Sequence, residues 1–112
     1  MAVPAKQNLS ITRGDTETVV ITMKDSAGDP VVVTGRTYRS HIRTTKDAAT
    51  TDGTFSCTVT NGPEGEVTCV MSAGSTAALT VGTHYWDFEE NNSGVVSTIL
   101  SGTVSVLADV SR

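Results

Sequence analysis

Apolar and polar residues alternate along most of this chain, in segments separated by clusters of Gly, Asn, Asp and Pro. Successive side chains of a β-strand point to opposite faces, so the alternation predicts strands that are buried on one side. Short strands at this spacing are typical of a β-sandwich or barrel. We predict about seven strands, at 9–11, 16–24, 38–43, 55–59, 67–71, 83–90 and 95–106, with a short extended segment at 31–33 and a short helical turn at 72–79.

The same alternation predicts which side of each strand faces the core. In the strand at 38–43, the inward residues are Tyr38, Ser40 and Ile42, and the solvated face is basic, with Arg39, His41 and Arg43. In the strand at 83–90, Trp86 and Phe88 face inward, opposite Tyr85, Asp87 and Glu89. In the last strand, one face carries Val96, Leu100, Val104 and Val106. The polar segment at 46–53 is expected to be a loop with room for one helical turn.

Two cysteines lie on a predicted hairpin. If the hairpin closes symmetrically about Pro63, Cys57 lies opposite Cys69, and Val59 lies opposite Val67. Directly opposed strand residues have Cβ atoms about 4.5 to 5.5 Å apart, slightly more than the roughly 3.5 to 4.5 Å of a disulfide. A strained disulfide between Cys57 and Cys69 is one alternative, and two buried thiols are the other, which a reducing cytosol favours.

Composition supports the all-β interpretation and excludes several function classes. Thr and Val, both β-branched, account for 34 of the 112 residues. A net charge of -4 with scattered basic residues does not fit a nucleic-acid binder. A chain of this length buries one modest core and no deep substrate cavity besides. We therefore expect a single domain at 8–112, preceded by an N-terminal arm at 1–7 that has no strand pattern and orders against a neighbouring subunit or frays.

The sequence lacks the patterns of the common catalytic, metal and targeting sites. There is no nucleophile elbow, P-loop or dinucleotide fingerprint, and the Cys spacing is not that of a zinc site. His41 and His84 are expected to be ordinary strand residues. Arg13, Gly14 and Asp15 spell an integrin-binding tripeptide, but a turn needs the same residue types. We expect no enzyme activity, cofactor or metal, and no membrane partner, since no apolar stretch has the length of a signal peptide core or a membrane span.

Charged residues on two strands suggest a contact surface. Arg39 and Arg43 project from one side of their strand, and an acidic stretch follows at Asp87, Glu89 and Glu90. These complementary charges are candidates for an interface with a neighbouring subunit, where electrostatics would set the register. The alternative to an interface is that both the basic and the acidic residues lie on ordinary solvated strand faces.

The order of the motifs resembles a known family. The segments that resemble this family are TRGDT at 12–16, DSAGDPVVVTG at 25–35, the end of a strand at Ile42–Arg43, STAALTVGTHYWDF at 75–88 and GVVSTILSGTVSV at 94–106. This succession is similar to the immunoglobulin-like β-sandwich modules of tailed-phage virions, close to the N-terminal domain of the baseplate upper protein family. The resemblance spans about residues 9–112.

The resemblance implies a bacteriophage virion structural protein, made in the host cytoplasm, with other virion proteins as partners and many symmetric copies or a homo-oligomer in the particle. A tail, baseplate or fibre-attachment role is expected first, and capsid decoration, with the major capsid protein as partner, is the alternative. A module that binds a host surface or glycan through its loops is the rival from another class.

Overall fold

The computed structural model describes residues 5–45 and 51–109. Eight strands are present in these residues: β1 (Ala5–Lys6), β2 (Leu9–Thr12), β3 (Glu17–Thr22), β4 (Thr37–Arg43), β5 (Gly53–Asn61), β6 (Glu66–Met71), β7 (Gly82–Asn92) and β8 (Val95–Leu107). The predicted helical turn is α1 (Ala73–Ala77), and Ser72 caps it by accepting a hydrogen bond from the Ser75 N–H. Of the predicted loop at 46–53, residues 46–50 lie outside the described residues, and Gly53 begins β5.

The strands form two sheets that share β5. Sheet I contains β1 and β2, which follow one another along the same edge of β8, then β8, β7, β4 and the first residues of β5. Sheet II contains the rest of β5, then β6 and β3. Residues 53–55 of β5 pair with β4, and residues 56–61 pair with β6. The predicted all-β, immunoglobulin-like sandwich is confirmed.

One hydrophobic core fills the space between the sheets. The predicted inward faces of β4 and β7 are confirmed, with Ile42, Trp86 and Phe88 almost completely buried. Phe88 also stacks on Tyr38, their ring centroids being 5.0 Å apart. The other almost completely buried apolar residues of the core are Ile11, Val33, Phe55, Val67, Cys69, Met71, Leu79, Val104 and Val106.

The predicted face of the last strand is wrong in its first part. Val104 and Val106 are buried as expected, but Val96 is 53% exposed. Phe88 pairs with Leu100 whereas Glu89 pairs with Thr98, so β8 carries an extra residue at this point. Such a β-bulge shifts the alternation by one residue, and Val96 therefore faces outward with Thr98.

The segment at 31–33 is extended but is not a strand of either sheet. The Val31 N–H donates to the Met23 carbonyl, and the Val33 N–H donates to the Gly62 carbonyl. Val33 is fully buried and closes the end of the core. The apolar residues of the segment 31–33 are thus explained by packing against the β5–β6 turn rather than by pairing within a sheet.

The N-terminal segment belongs to the sandwich from residue 5 onward, so the expectation of no strand pattern up to Gln7 is wrong for Ala5 and Lys6. These two residues pair in parallel with Leu100 and Ser101 of β8. The Trp86 indole N–H donates to the Gln7 carbonyl at 2.7 Å. Gly102 makes room for this contact, because a Cβ there would overlap with the Gln7 carbonyl oxygen. Positions 1–4 of the predicted arm lie outside the described residues.

Candidate functional site

The outer face of sheet I carries a row of alternating charges that we call the charged face. Strands β4 and β7 are antiparallel and pair Arg39 with Glu89, His41 with Asp87, and Arg43 with Tyr85. The Arg39 guanidinium forms an ion pair with the Glu89 carboxylate. Strand pairing thus brings four of the five candidate interface residues, Arg39, Arg43, Asp87 and Glu89, onto one surface. Whether this surface contacts another protein stays a prediction.

Asp87 lies at the centre of this face, and its surroundings disfavour its charge. Partial burial raises the pKa of the carboxyl, and the neighbouring Glu89 carboxylate adds to the increase. The neighbouring side chains of His41, Arg43 and Arg39 act in the opposite direction and lower the pKa of Asp87 in part. Asp87 is therefore a carboxylate that would gain from an additional positive or hydrogen-bonding group supplied by a partner.

A polar groove of about 280 Å³ opens on the charged face beside Asp87. Its three basic side chains come from two strands, Lys6 from β1 and His41 and Arg43 from β4. The other polar lining residues are Asn8, Tyr85, Asp87, Thr98, Ser101 and Thr103. A groove with this lining suits a polar or acidic side chain of a partner.

Glu90, the fifth candidate interface residue, does not lie on the charged face. It is 7% exposed and belongs to the core-facing side of β7. Its carboxylate accepts a hydrogen bond from the Tyr38 hydroxyl at 2.6 Å and forms an ion pair with Arg36 at 3.3 Å. Burial, followed by the bond to Glu90, raises the pKa of Tyr38. Glu90 thus fixes the end of the sandwich and is not available to a partner on the charged face.

Cys57 and Cys69 lie opposite each other, as the symmetric hairpin predicts, and Val59 likewise pairs with Val67. Both cysteines are free thiols, and the Cys69 thiol donates to the Cys57 sulfur at 3.1 Å. This bond lowers the pKa of Cys57 and raises that of Cys69.

The backbone position of the two cysteines is compatible with a bridge. The Met23 N–H donates to the Gly65 carbonyl, and the alternation of the ladder then directs the polar backbone groups of Cys69 toward β3. Cys57 and Cys69 therefore form a non-hydrogen-bonded pair across β5 and β6. Cα atoms are about 4.5 Å apart in such pairs, near the lower end of the range for disulfides. The disulfide between Cys57 and Cys69 stays a prediction, and the structure describes the reduced form.

His84 is buried and takes part in a polar cluster, with partners nearer the surface, that the sequence did not predict. Its Nδ1 lies 3.0 Å from the Asp52 carboxylate, and its Nε2 lies 2.8 Å from the Thr80 carbonyl oxygen. The two ring nitrogens thus face oxygen atoms on opposite sides of the imidazole. The alternation of β7 already placed His84 on the same side as Trp86, which was the available signal for burial.

This cluster has the outline of a nucleophile, base and orienting acid, but its geometry does not suit catalysis. The Thr80 hydroxyl lies 3.3 Å from His84 Nε2, farther than the Thr80 carbonyl oxygen at 2.8 Å. The nitrogen that would act as base is thus directed at a carbonyl. Asp52 has a lowered pKa, first because the Thr44 hydroxyl donates to it. The arrangement holds three chain segments together.

The Arg-Gly-Asp tripeptide forms the predicted turn between β2 and β3. Gly14 has a φ of 85°, which favours glycine. The Arg13 guanidinium donates to the Ala77 carbonyl of α1 at 2.7 Å, and the Gly14 N–H donates to the Thr76 hydroxyl. Arg13 is thereby tied to the protein's own helix.

Two further features of the described residues bear on function. Within residues 5–45 and 51–109, His, Cys, Asp and Glu nowhere form a group of three or more that could hold a metal ion. None of the helices in this part of the chain is both long and apolar enough to cross a membrane.

Comparisons with known proteins identify the fold. No protein-family model matches the chain. No curated protein sequence matches it either. Among solved structures, the N-terminal domain of phage TP901-1 ORF48 is similar, with a TM-score of 0.56 and 16% identity, over 96% of this chain and 90% of that one. The filamin domain of Lin-41 aligns with a TM-score of 0.48 and 14% identity, over 87% of this chain and 81% of that one.

Proposed function

We propose that this protein is a non-enzymatic structural module of a tailed-phage virion, which attaches to another virion protein through the charged face. The observation that carries the proposal is the fold likeness to a phage domain over 96% of the chain. The order of sequence motifs, which resembles baseplate modules, supports the same role independently. Within the virion, we place the protein in the tail, baseplate or fibre attachment.

The charged face supports an attachment role through its geometry. Arg39 leaves most of its side chain exposed although it pairs with Glu89. A partner with acidic side chains can therefore compete for Arg39 without unfolding any part of the sandwich. Charges arranged in this way select the register of docking and increase the association rate more than they increase affinity. Repetition in a symmetric particle then multiplies a modest contact into stable attachment.

Charge reversal on β4 tests the attachment surface. We expect the double variant Arg39→Glu, Arg43→Glu to enter particles at least about tenfold less than wild type, because like charges replace complementary ones across the interface. Quantitative mass spectrometry of purified particles measures the incorporated copies. Lys24→Glu is the matched control, since Lys24 is exposed and lies away from the charged face. Wild-type incorporation of a folded double variant would remove the charged face from the proposal.

The copy number of the protein and its location in the particle distinguish a tail role from capsid decoration. Tens of copies on the tail fit the proposed role, whereas hundreds on the head would favour capsid decoration. Labelling the protein and imaging particles by cryo-electron microscopy gives both quantities.

A glycan-binding role is the second candidate, and one observation favours it. Tyr85 lines the polar groove on the charged face, and an aromatic side chain next to hydroxyl and carboxylate groups is typical of carbohydrate sites. Trp86, in contrast, is 3% exposed and offers no platform. Binding on a glycan array that Tyr85→Ala abolishes would support this function over attachment, and the absence of any binding would eliminate it.

A further inference from the structure

The second surface of interest is the open edge of sheet II. Strand β3 ends this sheet, and among the described residues no strand pairs with its outer edge. Its register with β6 is unbroken over all six residues, so it contains no bulge. It also contains no Pro, Lys or Arg. Edge strands usually carry one of these features because open backbone groups pair readily with other strands.

The hydrogen bonds at the end of β3 show which of its backbone groups are open. The Met23 N–H donates to the Gly65 carbonyl at 2.8 Å, which directs the polar backbone groups of Met23 toward β6. Along a strand these groups alternate in direction, so those of Thr18, Val20 and Thr22 point to the open edge. The turn at 24–30 leaves the edge uncovered, because the Val31 N–H also donates to the Met23 carbonyl, on the β6 side.

The side chains of β3 leave apolar surface on both faces of this edge. Val20 is 57% exposed on the outer face, between Thr18 and Thr22. On the inner face, Val19 and Ile21 pack against the core but stay only half-buried. A further strand beside β3 would cover both sets and extend the hydrophobic core.

We propose that β3 pairs with β3 of a second copy of this protein, antiparallel and about a two-fold axis at Val20. In this register Val20 faces Val20 of the second copy, and Thr18 faces its Thr22. Every residue with open backbone groups then meets another such residue, forming three hydrogen-bonded pairs. On the inner face Val19 meets Ile21 of the second copy, and β-branched pairs of this kind stabilise sheets.

This register is self-complementary, which favours a second copy over another protein. Glu17, the one charged residue of β3, faces Met23 of the second copy and meets no like charge. A two-fold contact uses the same patch on both chains, as most homodimers do. The inference does not depend on a virion role, because β3 belongs to sheet II and the charged face to sheet I.

A proline at the centre of the edge tests the pairing. Val20→Pro removes an N–H that points away from β6, so the bonds within sheet II are kept, and proline is tolerated at such edge positions. Sedimentation velocity over a concentration series should show a monomer–dimer equilibrium for wild type and a dissociation constant at least about tenfold higher for the variant. Val70→Lys is the control, since Val70 lies on the same outer face but in the central strand β6. An equal loss of dimer in Val70→Lys would indicate stacking of faces and overturn edge pairing.

A cysteine variant tests the register even if the proline variant is unstable. In a hydrogen-bonded pair Cα atoms are about 5.5 Å apart, a distance that disulfides accept. Oxidised Val20→Cys should therefore migrate as a cross-linked dimer on a non-reducing gel. Thr18→Cys should not form a cross-linked dimer, because Thr18 faces Thr22 of the second copy. Oxidised wild type is the control for cross-links through Cys57 or Cys69. A wild type that is monomeric at every concentration, or equal cross-linking of both variants, would overturn the proposal.

Discussion

His84 and Glu90 are polar residues on the core-facing side of β7. His84 is held by the distant Asp52 and by Thr80, four residues before it, and Glu90 is held by the distant Tyr38 and Arg36. A buried polar group is costly unless its hydrogen bonds are satisfied, so these partners make the burial possible. The alternation of β7 places both residues on the side of Trp86 and Phe88, but it contains no information about the partners, and the charge of Glu90 instead suggested an interface.

The Asp52 carboxylate gives the protein an acid-sensitive contact. Its pKa is lowered in the folded state, so the stability it contributes is present above the ordinary aspartate pKa and is lost as pH falls through the folded value. We expect Asp52→Asn to lower the free energy of unfolding by about 1 kcal/mol at pH 7. At pH 3 the difference from wild type should be smaller. Urea unfolding at the two pH values measures it.

Asp87→Asn is the matched control, because the pKa of Asp87 is raised rather than lowered. Its carboxylate is disfavoured in the folded state at neutral pH, so the variant should be at least as stable as wild type at pH 7. An Asp52→Asn variant whose deficit is the same at both pH values would contradict the role of the carboxylate charge.

At the scale of elements, the β5–β6 hairpin was predictable and its chemistry was not. The symmetric turn gave the correct opposition of Cys57 and Cys69. The different environments of the two thiols arise from sheet II, where Cys69 is buried in the central strand β6 and Cys57 is half-buried in β5. The hydrogen bond from Cys69 lowers the pKa of Cys57, which makes Cys57 the more reactive sulfur.

We expect brief treatment of the reduced protein with iodoacetamide to modify Cys57 before Cys69. Peptide mass spectrometry measures the modified fraction at each position. In the Cys57→Ala control, Cys69 should stay unmodified as long as the protein is folded, because its sulfur is buried. Equal modification of both residues would show that the hydrogen bond does not differentiate them.

Gly102 is the point where Gln7, between β1 and β2, comes closest to β8. Gly102 leaves room for the Gln7 carbonyl, which accepts the Trp86 indole hydrogen bond, and the Gln7 N–H donates to the Ser101 carbonyl. We expect Gly102→Ala to displace β1 and lower the free energy of unfolding by about 1 to 3 kcal/mol. Hydrogen exchange should show lost protection at the Gln7 amide.

Gly74→Ala is the control for this substitution. Gly74 lies in α1, and no atom lies within 4 Å of the Cβ that alanine would add. Alanine in a helix is more favourable than glycine, so this variant should be unchanged or slightly more stable. If Gly102→Ala keeps normal exchange at Gln7, the Cβ is accommodated and the glycine is not required.

At the scale of the whole molecule, β5 connects the sheets while the two proposed contact surfaces stay separate. The charged face belongs to sheet I, and the open edge of β3 belongs to sheet II. The two proposals are therefore compatible, because a second copy at β3 and another protein at the charged face would occupy different surfaces. The fold also changes the interface hypothesis, because β4 and β7 are neighbours and Arg39 already pairs with Glu89 within the chain. A partner must compete with this internal pair.

The sequence by itself determined the all-β class, the strand positions, the inward faces of β4 and β7 and the cysteine register. These follow from alternation and turn residues, which are local properties of the chain. Only the tertiary structure decided the bulge that turns Val96 outward, the incorporation of Ala5 and Lys6 into sheet I, and the partners of His84 and Glu90. Each of these depends on which strands become neighbours, and neighbours are chosen by packing across the whole core rather than by any single segment.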